Sequence, residues 1–258
     1  MTDTSGTIRA DRSGAVLTLT LDRPPLNVLS LSMIESLASA LESAATEPGL
    51  AVVHLRGAGP KGFCAGVDVA DHTSDRIRPM LEAFHRVFRV LNRMDPVSVA
   101  EVHGAGLGGG LELAALCEFA IASEDAKIGQ PEIELACFPP VAAAAFGAIV
   151  GPKRAADLIL TGRTIDGREA ERIGLVSRAV PAAALAEETR RLVDALAAKS
   201  RPVLAITKRA LRACHPGAFE KSLAEAERLY LEELVATEDM AEGMAAFLAK
   251  RRPVWQHR

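Results

Sequence analysis

Three segments of this chain carry residue types that can do chemistry. The first is His103-Gly104-Ala105-Gly106-Leu107-Gly108-Gly109-Gly110, followed by Leu111-Glu112. Gly104, Gly106 and Gly109 satisfy the dinucleotide pattern GxGxxG, and Asp125 lies at about the spacing, ~20 residues, of that motif's ribose-binding acid. A dinucleotide-dependent oxidoreductase is therefore one open function class. Against it, only residues 111–117 separate the glycines from the next apolar run. That is about two helical turns, short for a crossover helix. The alternative is that Gly108-Gly109-Gly110 form a helix start stripped of side chains. Bare amide N–H groups there, aided by the helix dipole, can donate to a developing negative oxygen.

The second segment, Gly129-Gln130-Pro131-Glu132, supplies a carboxylate 20 residues after Glu112. Two carboxyls brought into one site discourage simultaneous ionisation, so one can hold a proton near neutrality while the other accepts one. Taken singly, Glu112 reads equally well as a favourable charge at a helix start and Glu132 as a solvated turn residue. Glu134 has no glycine or proline context to fix it and is treated as a decoy. The third segment, Lys61-Gly62-Phe63-Cys64-Ala65-Gly66-Val67-Asp68, is a small-residue loop. It can be an ordinary turn or a second backbone donor.

The elements that must position these segments follow from periodicity. Residues 16–21 alternate as a half-buried strand, and Ser32 with Glu35 suggests a capping box opening a helix that ends before Pro48-Gly49. Strands are expected at 51–56, 96–102 and 118–122, with a helix at 76–94 and a short one from Leu111. This alternation predicts an α/β architecture with right-handed crossovers. Beyond Gly151 helices are expected at 153–160, 166–173, 182–198, 203–213 and 218–236. Residues 1–6 read as a frayed end.

Composition narrows the class. The chain has 258 residues, 49% hydrophobic and 24% charged, with a formal net charge of −3. A sizeable core is possible, and the acidic balance argues against a nucleic-acid partner. Aromatics are 4%, too few for a stacking platform. Cys64, Cys117, Cys137 and Cys214 match neither zinc nor CxxC spacing, which suits a reduced, cytoplasmic setting. The N-terminus has no apolar leader, and Pro139-Pro140 interrupts the longest uncharged stretch, so neither secretion nor a membrane helix is expected. The six histidines, His72 and His85 among them, lack ligand spacing and read as surface or packing residues.

Taken together, the segments resemble the enoyl-CoA hydratase/isomerase (crotonase) family over nearly the whole chain. The resemblance runs from Arg23-Pro24-Pro25-Leu26-Asn27-Val28-Leu29 through the three segments above. It continues in Leu160-Thr161-Gly162-Arg163 and Ala170-Glu171-Arg172-Ile173-Gly174-Leu175-Val176. It implies a crotonase-like spiral of ββα units over 1–195 and a helical C-terminal trimerisation region over 196–258. It further implies an oxyanion hole at Val67 and Gly109 and catalytic carboxylates at Glu112 and Glu132. Substrate contacts are expected at Ala65, Asp68, Phe138, Pro139 and Pro140. The implied partner is an acyl-CoA substrate, with no metal and no cofactor beyond the coenzyme A of that substrate. The implied assembly is a homotrimer or dimer of trimers.

Straight-chain members of the family carry a glycine-rich run after the second glutamate. Here it is replaced by Phe138-Pro139-Pro140-Val141-Ala142-Ala143-Ala144-Ala145. With segments 66–73, 84–88, 230–234 and 247–255, this element resembles the branch that hydrates a cyclic dienoyl thioester, cyclohexa-1,5-diene-1-carbonyl-CoA. Straight-chain hydration and double-bond isomerisation are the alternatives on the same fold. Retention of both glutamates favours hydration, and it also speaks against a non-catalytic scaffold.

Overall fold

The computed structural model of the chain describes residues 6–73, 76–213 and 218–256. Cys214 and the proposed frayed end before Gly6 lie outside the described residues. The chain opens with a hairpin, β1 (Thr7–Ser13) and β2 (Val16–Asp22), followed by α1 (Leu31–Thr46). Two strands and a helix then recur as a unit. The first is β3 (Val52–Gly57), β4 (Gly62–Cys64) and α2 (Ile77–Arg93). The second is β5 (Val97–Val102), β6 (Ala105–Leu107) and α3 (Gly109–Ala115). The third is β7 (Phe119–Ser123), β8 (Lys127–Gly129) and, after a 3-10 turn at Pro131–Leu135, α4 (Pro140–Ile149). Then come α5 (Pro152–Thr161), β9 (Thr164–Ile165), α6 (Gly167–Arg172) and β10 (Arg178–Val180). Four helices end the chain: α7 (Leu185–Ala197), α8 (Arg201–Ala213), α9 (Ala218–Glu232) and α10 (Glu238–Leu248).

Each unit gives one strand to each of two sheets. The larger runs β1-β2-β3-β5-β7-β10, and all its neighbours after the first hairpin are parallel. The smaller runs β4-β6-β8-β9, with β4, β6 and β8 parallel. This is the ββα spiral implied by the resemblance. Its central layer is one core, in which Leu19 and Leu21 of β2, Ile34 and Leu37 of α1, and Phe84 and Phe88 of α2 are buried.

Some local expectations change. Helix α1 is capped by Ser30, whose side chain accepts from Met33 N–H, and Ser32 lies inside the first turn. A distant carboxylate completes this cap: Asp71 Oδ2 accepts from Leu31 N–H at 3.1 Å. The GxGxxG glycines do not form one strand-to-helix phosphate turn. β6 intervenes, so Gly106 lies in a strand while Gly109 opens α3, a helix of only seven residues. β1, β4, β6, β8, β9, β10, α4 and α10 had no expectation in the sequence.

Candidate active site

The small sheet gathers the chemistry. Its parallel strands β4, β6 and β8 all end on the same side, the usual place for ligands of parallel sheets. From β4 the chain runs into Ala65-Gly66-Val67, from β6 into Gly108-Gly109, and from β8 into Gln130 and the turn bearing Glu132. The loops stay in register through Gly108 N–H donating to Gly129 O at 2.9 Å. A Cβ placed on Gly66 would stand 3.4 Å from Gly109 N, so the first two loops face each other. Neither Val67 nor Gly109 donates its amide N–H to an acceptor among the described residues. Two unspent donors on adjoining loops are the layout of an oxyanion hole.

These loops border a cavity of about 180 Å³. Ala65, Val67, Gly109, Glu112, Glu132, Phe138, Pro139 and Pro140 all line it. Asp68 does not. Its carboxylate accepts from Arg23 Nη1 at 2.9 Å and from Ala70 N–H at 3.1 Å, bracing the first loop. Glu134 is exposed and outside the cavity, as its lack of fixing context suggested.

Glu112, in the first turn of α3, is 2% exposed. Its Oε1 accepts from Ala142 N–H at 2.7 Å, and the Val141 amide also hydrogen-bonds it. Pro139 and Pro140 explain this contact. Pro140 opens α4 with its φ preset and no N–H to satisfy, so the first free amides of that helix are those facing Glu112. Burial still raises the Glu112 pKa, and the two amides oppose the rise.

Glu132 sits on the 3-10 turn and is raised first by burial and then by the charge of Glu112. Gly108 makes room for it. With φ +53° it occupies backbone space that suits glycine, and a Cβ there would stand 2.5 Å from Glu132 Oε1. Gln130, fully buried, lies alongside. With its amide nitrogen turned toward the carboxylate it donates to Glu132 Oε2 at 3.2 Å, Oε1 at 3.3 Å and Gly108 O at 3.2 Å.

Several lining residues carried no expectation as substrate contacts. Phe84, Tyr230 and Phe247 border the cavity beside the expected Phe138, although the chain has only eight Phe, one Tyr and one Trp. The Phe138 and Tyr230 rings lie 5.2 Å apart at 58°, and the Tyr230 phenol meets the Cys137 thiol. His72 also lines the cavity, its Nδ1 3.1 Å from Asp68 O, and burial lowers its pKa. His85 is a packing residue, fully buried with Nδ1 2.5 Å from Glu227 Oε1.

Comparison with known proteins identifies the family. The enoyl-CoA hydratase/isomerase family profile matches residues 11–258. A probable enoyl-CoA hydratase of Mycobacterium bovis is 38% identical over 258 residues, covering 98% of each chain. The cyclohexa-1,5-dienecarbonyl-CoA hydratase of Thauera aromatica is 39% identical over 252 residues, covering 96% of this chain and 95% of its own. Among solved structures, an enoyl-CoA hydratase from Mycobacterium avium subsp. paratuberculosis superposes with a TM-score of 0.88 at 28% identity, covering 96% of this chain and 98% of that one. Paired buried glutamates, two unspent amides and a match spanning nearly the whole sequence place the chain in the enoyl-CoA hydratase/isomerase family, with the crotonase fold.

Proposed function

We propose that this carbon–oxygen lyase of the enoyl-CoA hydratase type acts on a cyclic dienoyl thioester, cyclohexa-1,5-diene-1-carbonyl-CoA. The Val67 and Gly109 amides would hold the thioester oxygen as it gains charge. Glu112, stabilised as an anion by the Ala142 and Val141 amides, takes a proton from water. Glu132, pushed further up by the Glu112 charge, delivers the proton. The water oxygen bonds to the β carbon, and the dienolate takes its proton at the γ carbon. The product, 6-hydroxycyclohex-1-ene-1-carbonyl-CoA, keeps one ring double bond, and the elements of one water are added.

The observation that carries the ring assignment is the cavity. Its volume is about 180 Å³ and aromatic side chains wall it. An apolar cavity of roughly 150 Å³ holds one benzene. Pro139-Pro140 stiffens the wall beside the glutamates. The Thauera aromatica relative named for this activity supports the same choice.

The test is a substrate panel. The cyclic diene should exceed crotonyl-CoA in kcat/KM by at least ~10²-fold, since each methylene-sized mismatch is worth ~1–3 kcal/mol. Pro140→Gly should shrink the ratio. Equal rates on both thioesters would overturn the ring assignment and favour a straight-chain substrate.

The same proposal covers assembly and location. Val203, Ile206 and Leu211 leave α8 with exposed apolar side chains, which suits burial in a homotrimer or dimer of trimers. Cys64, Cys117 and Cys137 are buried free thiols, which suits the reducing cytoplasm.

A further inference from the structure

Helix α10 contains a glycine that its own sequence context does not call for. Gly243 stands mid-helix, where glycine costs about 1 kcal/mol relative to alanine. Its position against the Glu132 turn accounts for it. A Cβ on Gly243 would overlap the Leu135 carbonyl oxygen, stand 2.6 Å from the Leu135 carbonyl carbon and 3.3 Å from Ala136 N. These are backbone atoms and cannot rotate away.

The turn they belong to is tied internally to Glu132. Ala136 closes it in the left-handed region at φ +53°, and its N–H donates to Ile133 O at 3.1 Å. Cys137 N–H donates to Glu132 O at 3.1 Å, and the Cys137 thiol reaches the same oxygen at 3.3 Å. A push on Leu135 and Ala136 is therefore carried to the residue that bears the carboxylate. The opposite side of that carboxylate is closed by Gly108 and Gln130, so it has little room to absorb a displacement.

We propose that Gly243 is a positioning residue for the reaction: helix α10, seated through it, fixes Glu132 relative to Glu112 and the oxyanion amides. This rests on the assignment of Glu132 to proton transfer above. Phe247 lies one helical turn further on and lines the cavity, so the helix that sets the acid also borders the acyl group.

The experiment compares Gly243→Ala, Ala245→Gly and Glu132→Gln on the thioester the enzyme hydrates best. An ångström-scale misplacement of a catalytic group costs up to about 10²-fold, so Gly243→Ala should lose roughly 10- to 100-fold in kcat. KM should stay within about threefold, because the oxyanion loops are untouched. The kcat–pH profile should move, because the Glu112–Glu132 coupling depends on their separation. Ala245, exposed on the same helix, is the control for helix weakening alone, and its glycine variant should keep both kcat and pH profile. Circular dichroism establishes that the variants are folded. Should Gly243→Ala not fold, Met240→Ala loosens the buried seat of α10 without a clash, and it should lower kcat with KM held. An active Glu132→Gln would defeat the site assignment itself. An inactive Glu132→Gln beside a Gly243→Ala of normal kcat and pH profile, or a Met240→Ala of normal kcat if the first cannot be read, would overturn the positioning role alone.

Discussion

Glu112 and Glu132 are chemically identical and are made unequal by what surrounds them. Glu112 receives two helix-terminal amides, which favour its ionised form. Glu132 feels the negative charge that results, which favours its protonated form. Glu112→Gln and Glu132→Gln should therefore each lower kcat by at least ~10²-fold, the low end for losing a general acid or base. Thioester binding, measured by calorimetry with an unreactive acyl-CoA, should survive in both. A variant turning over at the wild-type rate would remove its residue from proton transfer. Most of this site was legible at the residue scale, because carboxylates beside glycine runs are conspicuous and their order along the chain matched a family. The aromatic wall was legible only at Phe138. Phe84, Tyr230 and Phe247 come from helices far apart in sequence, and in each helix an apolar residue at helical spacing looks the same whether it faces core or cavity. Asp68 illustrates the converse: its place in the first loop suggested substrate, while Arg23, remote in sequence, claims its carboxylate.

At the scale of elements, the long periodic helices and the four inner strands of the large sheet, β2, β3, β5 and β7, were readable, and the small sheet was not. β4, β6 and β8 have three residues each, too few to show an alternation, and two of them begin or end in glycine. Yet those strands aim all three active-site loops. Of the terminal helices, α7, α8 and α9 were visible by their periodicity, but their docking was not. Helix α8 is joined to the sheet through one carboxylate. Glu118 Oε2 accepts from Ser98 N–H at 2.8 Å and Ser98 Oγ–H at 2.7 Å, and lies 2.8 Å from Lys208 Nζ. Lys208 is only 4% exposed and also donates to Pro96 O at 2.6 Å. Glu118 is part-exposed and also lies 3.4 Å from Arg212 Nη2, but its removal strands the buried Lys208 ammonium, so Glu118→Ala should cost ~3 kcal/mol in urea unfolding, the low end for breaking a buried pair. Adding Lys208→Met removes the stranded ammonium and should recover part of the loss. Strictly additive losses in this cycle would mean that Glu118 and Lys208 do not act as a pair.

At the scale of the whole molecule, the site opposes stability in a way that pH should reveal. A carboxyl whose folded pKa is raised keeps its proton longer in the native state than in the unfolded chain. Between the ordinary carboxyl pKa, about 4.3, and the raised native value, the folded protein binds more protons, so stability falls as pH rises. Both Glu112 and Glu132 act in this direction. Glu42, Glu101, Glu227 and Glu242 act in the opposite one, because hydrogen bonds and neighbouring cations lower their native pKa values. The wild-type profile is therefore a sum of opposed contributions, and its shape alone identifies no residue. A difference between proteins does. Glu132→Gln leaves the lowered carboxyls in place and deletes one raised group, together with the repulsion that Glu112 suffers from it. The melting temperature of the variant minus that of wild type should grow steadily from pH 5 to pH 8. Glu112→Gln should show the same trend, reduced by the weaker hydrogen bonds that a neutral amide accepts from Ala142 and Val141. Differential scanning calorimetry over that range is sufficient, and a difference independent of pH would mean that the native carboxyls titrate as they do in the unfolded chain. The destabilisation follows from the chemistry: two carboxyls close enough to share the work of adding water must also be close enough to repel.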